Sequence, residues 1–306
     1  RNHAIPVAPA LAAPVVDLLV PPYTLGAWLG DGSSRNGQLT GTDPGIWERI
    51  ESEGFEVVHY NHSDQAHNIL GLKVMLRAEG VLQNKHIPAH YLRAPVADRM
   101  ALLQGLMDTD GHAALDGGCE FDGVNPRLVS DVLELVRSLG IKATMQEGIA
   151  KLDGRVIGKK WRVKFATGLS VFGLQRKLER LREKRRRVGS FRYLVACDPV
   201  ESVPTRCISV DSPTRQYLAG AAMIPTHNTD LACGKALTQH RKVAIFRREA
   251  TQLSGITDRL TEMLGSRDGY NGADRIWRGA GPAKVQIEFG SVPNLGDEAK
   301  HQGRPK

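Results

Sequence analysis

Two stretches of the chain end a run rich in apolar and small residues with an acid followed by glycine. They are Thr24–Gly32 (TLGAWLGDG) and Leu103–Gly111 (LQGLMDTDG), and the acids are Asp31 and Asp110. In each run the apolar residues recur at helical spacing, so each reads as a helix that carries a carboxylate at its C-terminal end. The carbonyl groups at that end repel an anion. Two such acids facing one another therefore make sense when a divalent cation lies between them. Gly26 and Gly30 clear one face of the first helix and Gly105 clears the second, so the two backbones can pass closely. The plainer alternative is a pair of amphipathic helices, each closed by a cap glycine and ending in a solvated acid. The repetition of the pattern favours one site built from two related halves.

A second constellation lies at Met223–Thr229 (MIPTHNT). The side-chain nitrogen of Asn228 can attack its own backbone carbonyl, which closes a succinimide and breaks the bond to Thr229. His227 can give the leaving amine its proton, and the Thr229 hydroxyl can first accept an acyl group. A His-Asn-Thr tripeptide also occurs in ordinary loops, so its setting decides.

The elements around the first acid read as a strand at Gln38–Thr42, a helix at Pro44–Glu53 and a strand at Phe55–Tyr60, with helix and turn signals mixed over Asn68–Leu82. After the second acid a related order recurs: a strand at Cys119–Phe121, a helix at Asn125–Leu139 closed by Gly140, and a strand at Trp161–Phe165. Leu128, Val132, Leu135, Val136 and Leu139 form an apolar stripe suited to a core. A helix is expected from Leu174 to Arg192, with Arg176, Lys177, Arg180, Arg182, Lys184, Arg185, Arg186 and Arg187 on it. Such a charge run serves either as a solvated face or as a set of phosphate contacts. From Tyr193 to Asn228 the composition changes to short β-type runs with Pro and Ser turns.

The 306 residues, 41% hydrophobic and 24% charged, suit a globular chain of two or three domains. A net charge of +8 and a pI near 9.4 favour a polyanionic partner. Cysteines 119, 197, 207 and 233 show neither paired nor zinc-binding spacing, which fits a reducing compartment. The longest apolar stretch, Ala8–Val20, is interrupted by Pro14 and Asp17 and is too short for a bilayer. A cytoplasmic location, in a bacterial or phage-infected cell, and no membrane partner are expected. The start at Arg1 and the polar run at Lys306 suggest a fragment.

The two Asp-Gly runs resemble the paired motifs of LAGLIDADG (DOD-type) homing endonucleases nested in inteins. Thr205–Gly220 (TRCISVDSPTRQYLAG) followed by MIPTHNT resembles the C-terminal splicing motifs of inteins. The resemblance covers roughly residues 20–228. Within it, Lys85-His86-Ile87-Pro88-Ala89-His90-Tyr91 matches the family's Lys-Ile-Pro-Tyr block and makes Lys85 the candidate basic residue near the scissile phosphate. Cys207 stands where many inteins have aspartate, and Thr226 precedes His227. That combination looks like the subgroup in which an internal cysteine replaces the first-residue nucleophile. Cys207 would then attack the upstream junction, the acyl group would pass to Thr229, and Asn228 would cyclise. A buried structural cysteine is the alternative.

The resemblance implies an α+β fold with two pseudo-symmetric αββαββ-type endonuclease half-domains, a small all-β splicing segment and a partial α/β P-loop ATPase fragment. The implied divisions are 1–20 as a linker from the splicing domain, 21–192 as the endonuclease, 193–228 as the C-terminal splicing segment and 229–306 as host protein. Asp31 and Asp110 would hold Mg²⁺ and cut double-stranded DNA at a long pseudo-symmetric target in the uninterrupted host gene. Splicing would need an upstream intein half and an N-terminal host segment. Residues 229–306 resemble phage terminase large subunits, with Thr229 as the residue after the P-loop lysine. The competing expectations are an intein whose nuclease only binds DNA, and a DNA-packaging ATPase fragment.

Overall fold

The computed structural model of the chain describes residues 4–60, 63–114, 116–152, 155–183, 189, 191–196, 210, 216–226, 233–234, 236–238 and 240–294. It divides into two compact units, Arg1–Asp198 with Leu218–Pro225, and Pro199–Tyr217 with Thr226–Lys306. The fold is mixed α+β, with several small sheets.

In chain order the elements are β1 (Ala4–Pro6), α1 (Pro22–Asp31), β2 (Gln38–Thr40), α2 (Pro44–Ser52), β3 (Val57–Tyr60), β4 (Ser63–Ile69), α3 (Leu72–Ala78) and α4 (Ala89–Leu92). Then come α5 (Val96–Thr109), β5 (Gly111–Ala113), β6 (Cys119–Gly123), α6 (Pro126–Ser138), β7 (Ala143–Leu152), β8 (Arg155–Phe165), α7 (Gln175–Glu183) and β9 (Phe191–Tyr193). The remainder comprises β10 (Tyr217–Ala219), β11 (Ile224–Thr226), β12 (Lys242–Arg247), α8 (Leu253–Leu264), β13 (Tyr270–Asn271), β14 (Ile276–Ala280) and β15 (Val285–Ser291).

Helices α1 and α5 cross at the centre of the first unit. Every residue from Tyr23 to Leu29 is buried, so α1 is a core helix rather than an amphipathic one. It begins at Pro22 with no cap of its own. Glu53 supplies one from outside, accepting hydrogen bonds from the Tyr23 N–H (3.3 Å), the Thr24 N–H (2.9 Å) and the Thr24 hydroxyl (2.7 Å). The crossing itself is set by glycine. A Cβ on Gly26 would lie 2.1 Å from the Leu102 carbonyl oxygen, and one on Gly105 would lie 2.2 Å from the Tyr23 carbonyl oxygen.

These contacts are reciprocal. The numbering shift that carries Asp31 to Asp110 also carries Tyr23 to Leu102 and Gly26 to Gly105, so each glycine meets the other helix at the equivalent carbonyl. The same shift relates the helix ends: a Cβ on Gly32 would meet the Trp28 oxygen at 2.4 Å, and one on Gly111 the Met107 oxygen at 2.4 Å.

The flanking elements follow the same plan. Gly32 bridges Leu39 much as Gly111 pairs with Phe121, although the first half keeps a single bridge where the second has the strand β5. Next comes a helix capped by an Asx residue before proline. Asp43 accepts from Gly45 N–H at α2, and Asn125 accepts from the N–H groups of Arg127 and Leu128 at α6. Two antiparallel strands complete each half, giving sheet orders β2-β4-β3 and β5-β6-β8-β7. The expected α6 stripe is buried in the common core.

Two expectations need correction. The helix expected to reach Arg192 is described only over Gln175–Glu183, and Phe191–Tyr193 is a strand antiparallel to Ala4–Pro6, a long-range pairing that local helix signals do not reveal. Residues 184–188 lie outside the described residues. The segment expected as a linker carries β1 and is tied to the second half, because the Leu11 N–H donates to the Ser138 carbonyl and buried Arg99 donates to the Leu11 carbonyl.

In the second unit β12 runs parallel to β15, with β14 and β13 antiparallel beyond it. Helix α8 supplies Leu253, Ile256 and Leu260 to a core with Trp277, Val285, Ile287 and Phe289. Lys242–Arg247 alternates exposed with half-buried residues and lies at the edge of the four-stranded sheet among the described strands.

Replacing Gly105 with alanine drives a methyl into the Tyr23 carbonyl and the Ala27 N–H. We expect a cost of about 1–3 kcal/mol, read as a melting temperature several degrees lower. Gly148→Ala, where the new methyl meets only the Lys160 side chain at 3.8 Å, leaves it unchanged. Equal melting temperatures for both variants would contradict the close crossing.

Candidate active site

Asp31 is the last residue of α1 and Asp110 caps the C-terminus of α5. The glycine crossing brings the two helix ends together, a Cβ on Gly30 falling 2.1 Å from the Thr109 hydroxyl and 3.6 Å from the Asp110 N, and the Asp31 charge is close enough to act on Asp110. Both have a solvent-open edge, while protein hems in Asp110 on its other sides. That burial, reinforced by the Asp31 charge, pushes the Asp110 carboxyl up to about 6 against the pull of Lys85 and Lys177. Two helix C-termini add their own negative ends at the same point.

One lysine caps each of these helix ends. Lys85 Nζ donates to the Gly30 carbonyl at 2.8 Å and lies 5.1 Å from the centre of the Trp28 ring. Lys177 Nζ donates to the carbonyls of Met107 (2.8 Å), Asp108 (2.7 Å) and Gly111 (2.7 Å). Burial holds both amines down to about 8, opposed by the nearby aspartates. Lys85 is positioned by the block around it. Asn125 Nδ2 donates to the Lys85 carbonyl (2.8 Å), the Ile87 N–H donates to Asp131 (2.9 Å), and the Tyr91 hydroxyl donates to the Val20 carbonyl (2.8 Å).

Sequence reasoning placed Lys177 in a charge run on a helix surface. The structure buries it under the end of α5. Asp108, left unassigned from sequence, makes this possible. Its buried carboxylate accepts from the Tyr23 hydroxyl (2.8 Å) and from the N–H groups of Gly173 (2.9 Å) and Leu174 (3.1 Å), which anchors the chain entering α7. Burial raises the Asp108 carboxyl above its ordinary range. The only signal in the sequence was a second acid two residues before Asp110.

Of the splicing candidates, Thr226 ends β11. Cys207, His227, Asn228 and Thr229 lie outside the described residues. The turn before β11 is held by Arg137, whose Nη1 donates to the Ala221 carbonyl at 2.9 Å. Cys119 and Cys233 are buried, and burial pushes the Cys119 thiol up to about 12, as suits a packing role.

Among the described residues no cluster of three or more His, Cys, Asp or Glu side chains forms a metal cage. The Asp31–Asp110 pair still fits Mg²⁺, which usually takes one or two carboxylates and fills its remaining positions with water and substrate phosphate. Among the described residues no helix is long and apolar enough to cross a membrane.

Residues 97–190 match a LAGLIDADG-like domain. The match runs from the start of α5 past α7 and includes Asp110 and Lys177, while α1 and Asp31 lie outside it. The chain is 41% identical over 236 residues to a protein of Mycobacterium intracellulare titled replicative DNA helicase DnaB, covering 75% of this chain and 38% of that protein. A protein of the same title from Mycobacterium leprae (strain TN) is 56% identical over 32 residues, 10% of this chain and 5% of the relative. The chain thus spans well under half the length of either relative.

Between 3.8, its ordinary value, and about 6, Asp110 binds a proton in the folded chain that the unfolded chain releases. The stability this gives is fully present below that window and is lost as pH rises through about 6. Asp110→Asn should therefore raise the melting temperature slightly at pH 7.5, the exposure of Asp110 screening the effect, and the gap should close by about pH 4. A variant less stable than the parent at pH 7.5 would contradict this electrostatic picture.

Proposed function

We propose that the chain is a site-specific double-strand DNA homing endonuclease embedded in an intein. The observation that carries this reading is the facing of Asp31 and Asp110 at a glycine crossing, each beside its own lysine. The match over residues 97–190 supports it from a separate direction. In this reading residues 21–192 form two pseudo-symmetric αββαββ-type halves whose sheets lie along the duplex, and the +8 charge favours that polyanion.

Asp31 and Asp110 would hold Mg²⁺, which would supply a stronger water nucleophile and stabilisation of the leaving oxygen. The two carboxylates orient attacking water toward one phosphodiester on each strand. Lys85 and Lys177 are fixed by helix-end carbonyls, so each keeps a cation where charge develops on the phosphate without reorganising. Their values near 8 leave both largely protonated at neutral pH.

In the full precursor Cys207 attacks the upstream junction, the acyl group passes to the Thr229 hydroxyl, and Asn228 cyclises with His227 as proton donor behind Thr226. The upstream intein half and N-terminal host segment are needed for this. Residues 229–306 are the host portion, which we read as a terminase-like ATPase fragment. The relative titled replicative DNA helicase DnaB matches 75% of the chain, which supports an element shared between the two proteins.

A decayed, DNA-binding-only nuclease is the second reading, but retention of both facing acids favours an active one. The test is incubation of the intact intein-containing protein with the uninterrupted host gene and Mg²⁺. Staggered cutting by the parent, its loss in Asp110→Asn and its loss with a chelator are expected. DNA that stays uncut by the parent protein would reject nuclease function. Mass spectrometry of the same precursor should find ligated host protein, and none from Cys207→Ala.

A further inference from the structure

Strands β6 and β8 are neighbours, and their outward side chains form a closed ladder of charge. Asp122 stands opposite Arg162 in the register and accepts from its Nε at 2.5 Å and its Nη2 at 2.7 Å. Glu120 lies 3.0 Å from Arg162 Nη1 and 3.3 Å from Lys164 Nζ, and Lys160 Nζ lies 3.0 Å from Asp122. The alternating residues Phe121, Val163 and Phe165 point into the core, which fixes the charged ladder on the outer face. This face adjoins the acid pair, because β5 starts directly after Asp110 and its exposed His112 pairs with Glu120.

Such a ladder is poorly made for gripping phosphates. Its two carboxylates repel them and offset most of the charge of Lys160, Arg162 and Lys164. It is well made for a base edge. Asp122 takes the Nε–H and one Nη2–H and Glu120 takes one Nη1–H, which holds the guanidinium still and leaves one N–H on each terminal nitrogen of a side chain that is 33% exposed. That donor pair matches O6 and N7 of guanine in the major groove. Much of the ordering entropy is lost before DNA arrives.

We infer that Arg162, clamped by Asp122 and Glu120, is a guanine reader for duplex DNA on the flank served by Asp110. This rests on the DNA-cleavage reading above and names the side chain that discriminates, with Asp122 and Glu120 as positioning residues. Among the described residues, the other sheet presents Gln38, Thr40 and Asn68 on the face opposite its buried Leu39 and Ile69.

The test separates binding from cutting. Duplexes are selected from a random pool by the whole chain without divalent metal. Anisotropy then compares the selected duplex with its single-base-pair variants for the parent, Arg162→Ala, Arg162→Lys and Asp122→Asn, with each protein checked for folding by thermal denaturation. The parent should favour G·C at one position of one flank by about 10- to 100-fold. Both Arg162 variants should reduce that preference to within about 2-fold while other positions keep theirs, with Asp122→Asn intermediate. Uniform weakening on every duplex with a shallower salt dependence would make Arg162 a backbone clamp and overturn the inference. Unchanged discrimination, or no enriched sequence, would overturn it as well. A chain that reads the guanine but cuts no DNA would sink the nuclease proposal and leave this one standing.

Discussion

The arrangement depends on two helix backbones approaching so closely that a single methyl would part them. Gly26 and Gly105 each face a carbonyl of the other helix. That contact brings two negative helix ends, and the acid each carries, to one point. The resulting repulsion is an electrostatic cost that an apolar helix crossing would avoid. The fold answers with two buried lysines bonded to the carbonyls of those ends, Lys85 on one and Lys177 on the other. Burial and the Asp31 charge still raise the Asp110 carboxyl against the pull of these lysines.

Each half is a scaffold for one acid and one lysine, yet the halves are not copies in detail. The second has a complete β5 where the first has one bridge, and it buries Asp108 where the equivalent position of the first half is Leu29. Asp108 fastens the approach to α7 and so places Lys177, whereas Lys85 is placed by Asn125 and by the block ending in Tyr91. The two lysines arrive at related positions by different local routes. The outer sheet faces differ too, with Gln38, Thr40 and Asn68 among the described residues of one and the Glu120–Asp122–Arg162 ladder on the other.

Much of this was legible in local sequence. The two acid-glycine runs fixed the helix ends, Asp43-Pro44 and Asn125-Pro126 marked two helix starts through their caps, and the stripe from Leu128 to Leu139 identified a core helix. What escaped depends on distant partners. Lys177 read as one cation among many because nothing in its own segment says that α7 docks under α5. Phe191–Tyr193 read as helix because its strand partner lies at Ala4–Pro6. The Asp122–Arg162 clamp needs a strand register that spacing along one segment cannot supply.

The central claim is that Asp31 and Asp110 jointly hold a divalent ion, and titration of Mn²⁺ into the chain with duplex DNA, followed by electron paramagnetic resonance, tests it most directly. The account predicts that binding at pH 7.5 is lost in Asp31→Asn and in Asp110→Asn alike, and that it weakens in the parent as pH falls below about 6. Binding that survives both substitutions undiminished would contradict it.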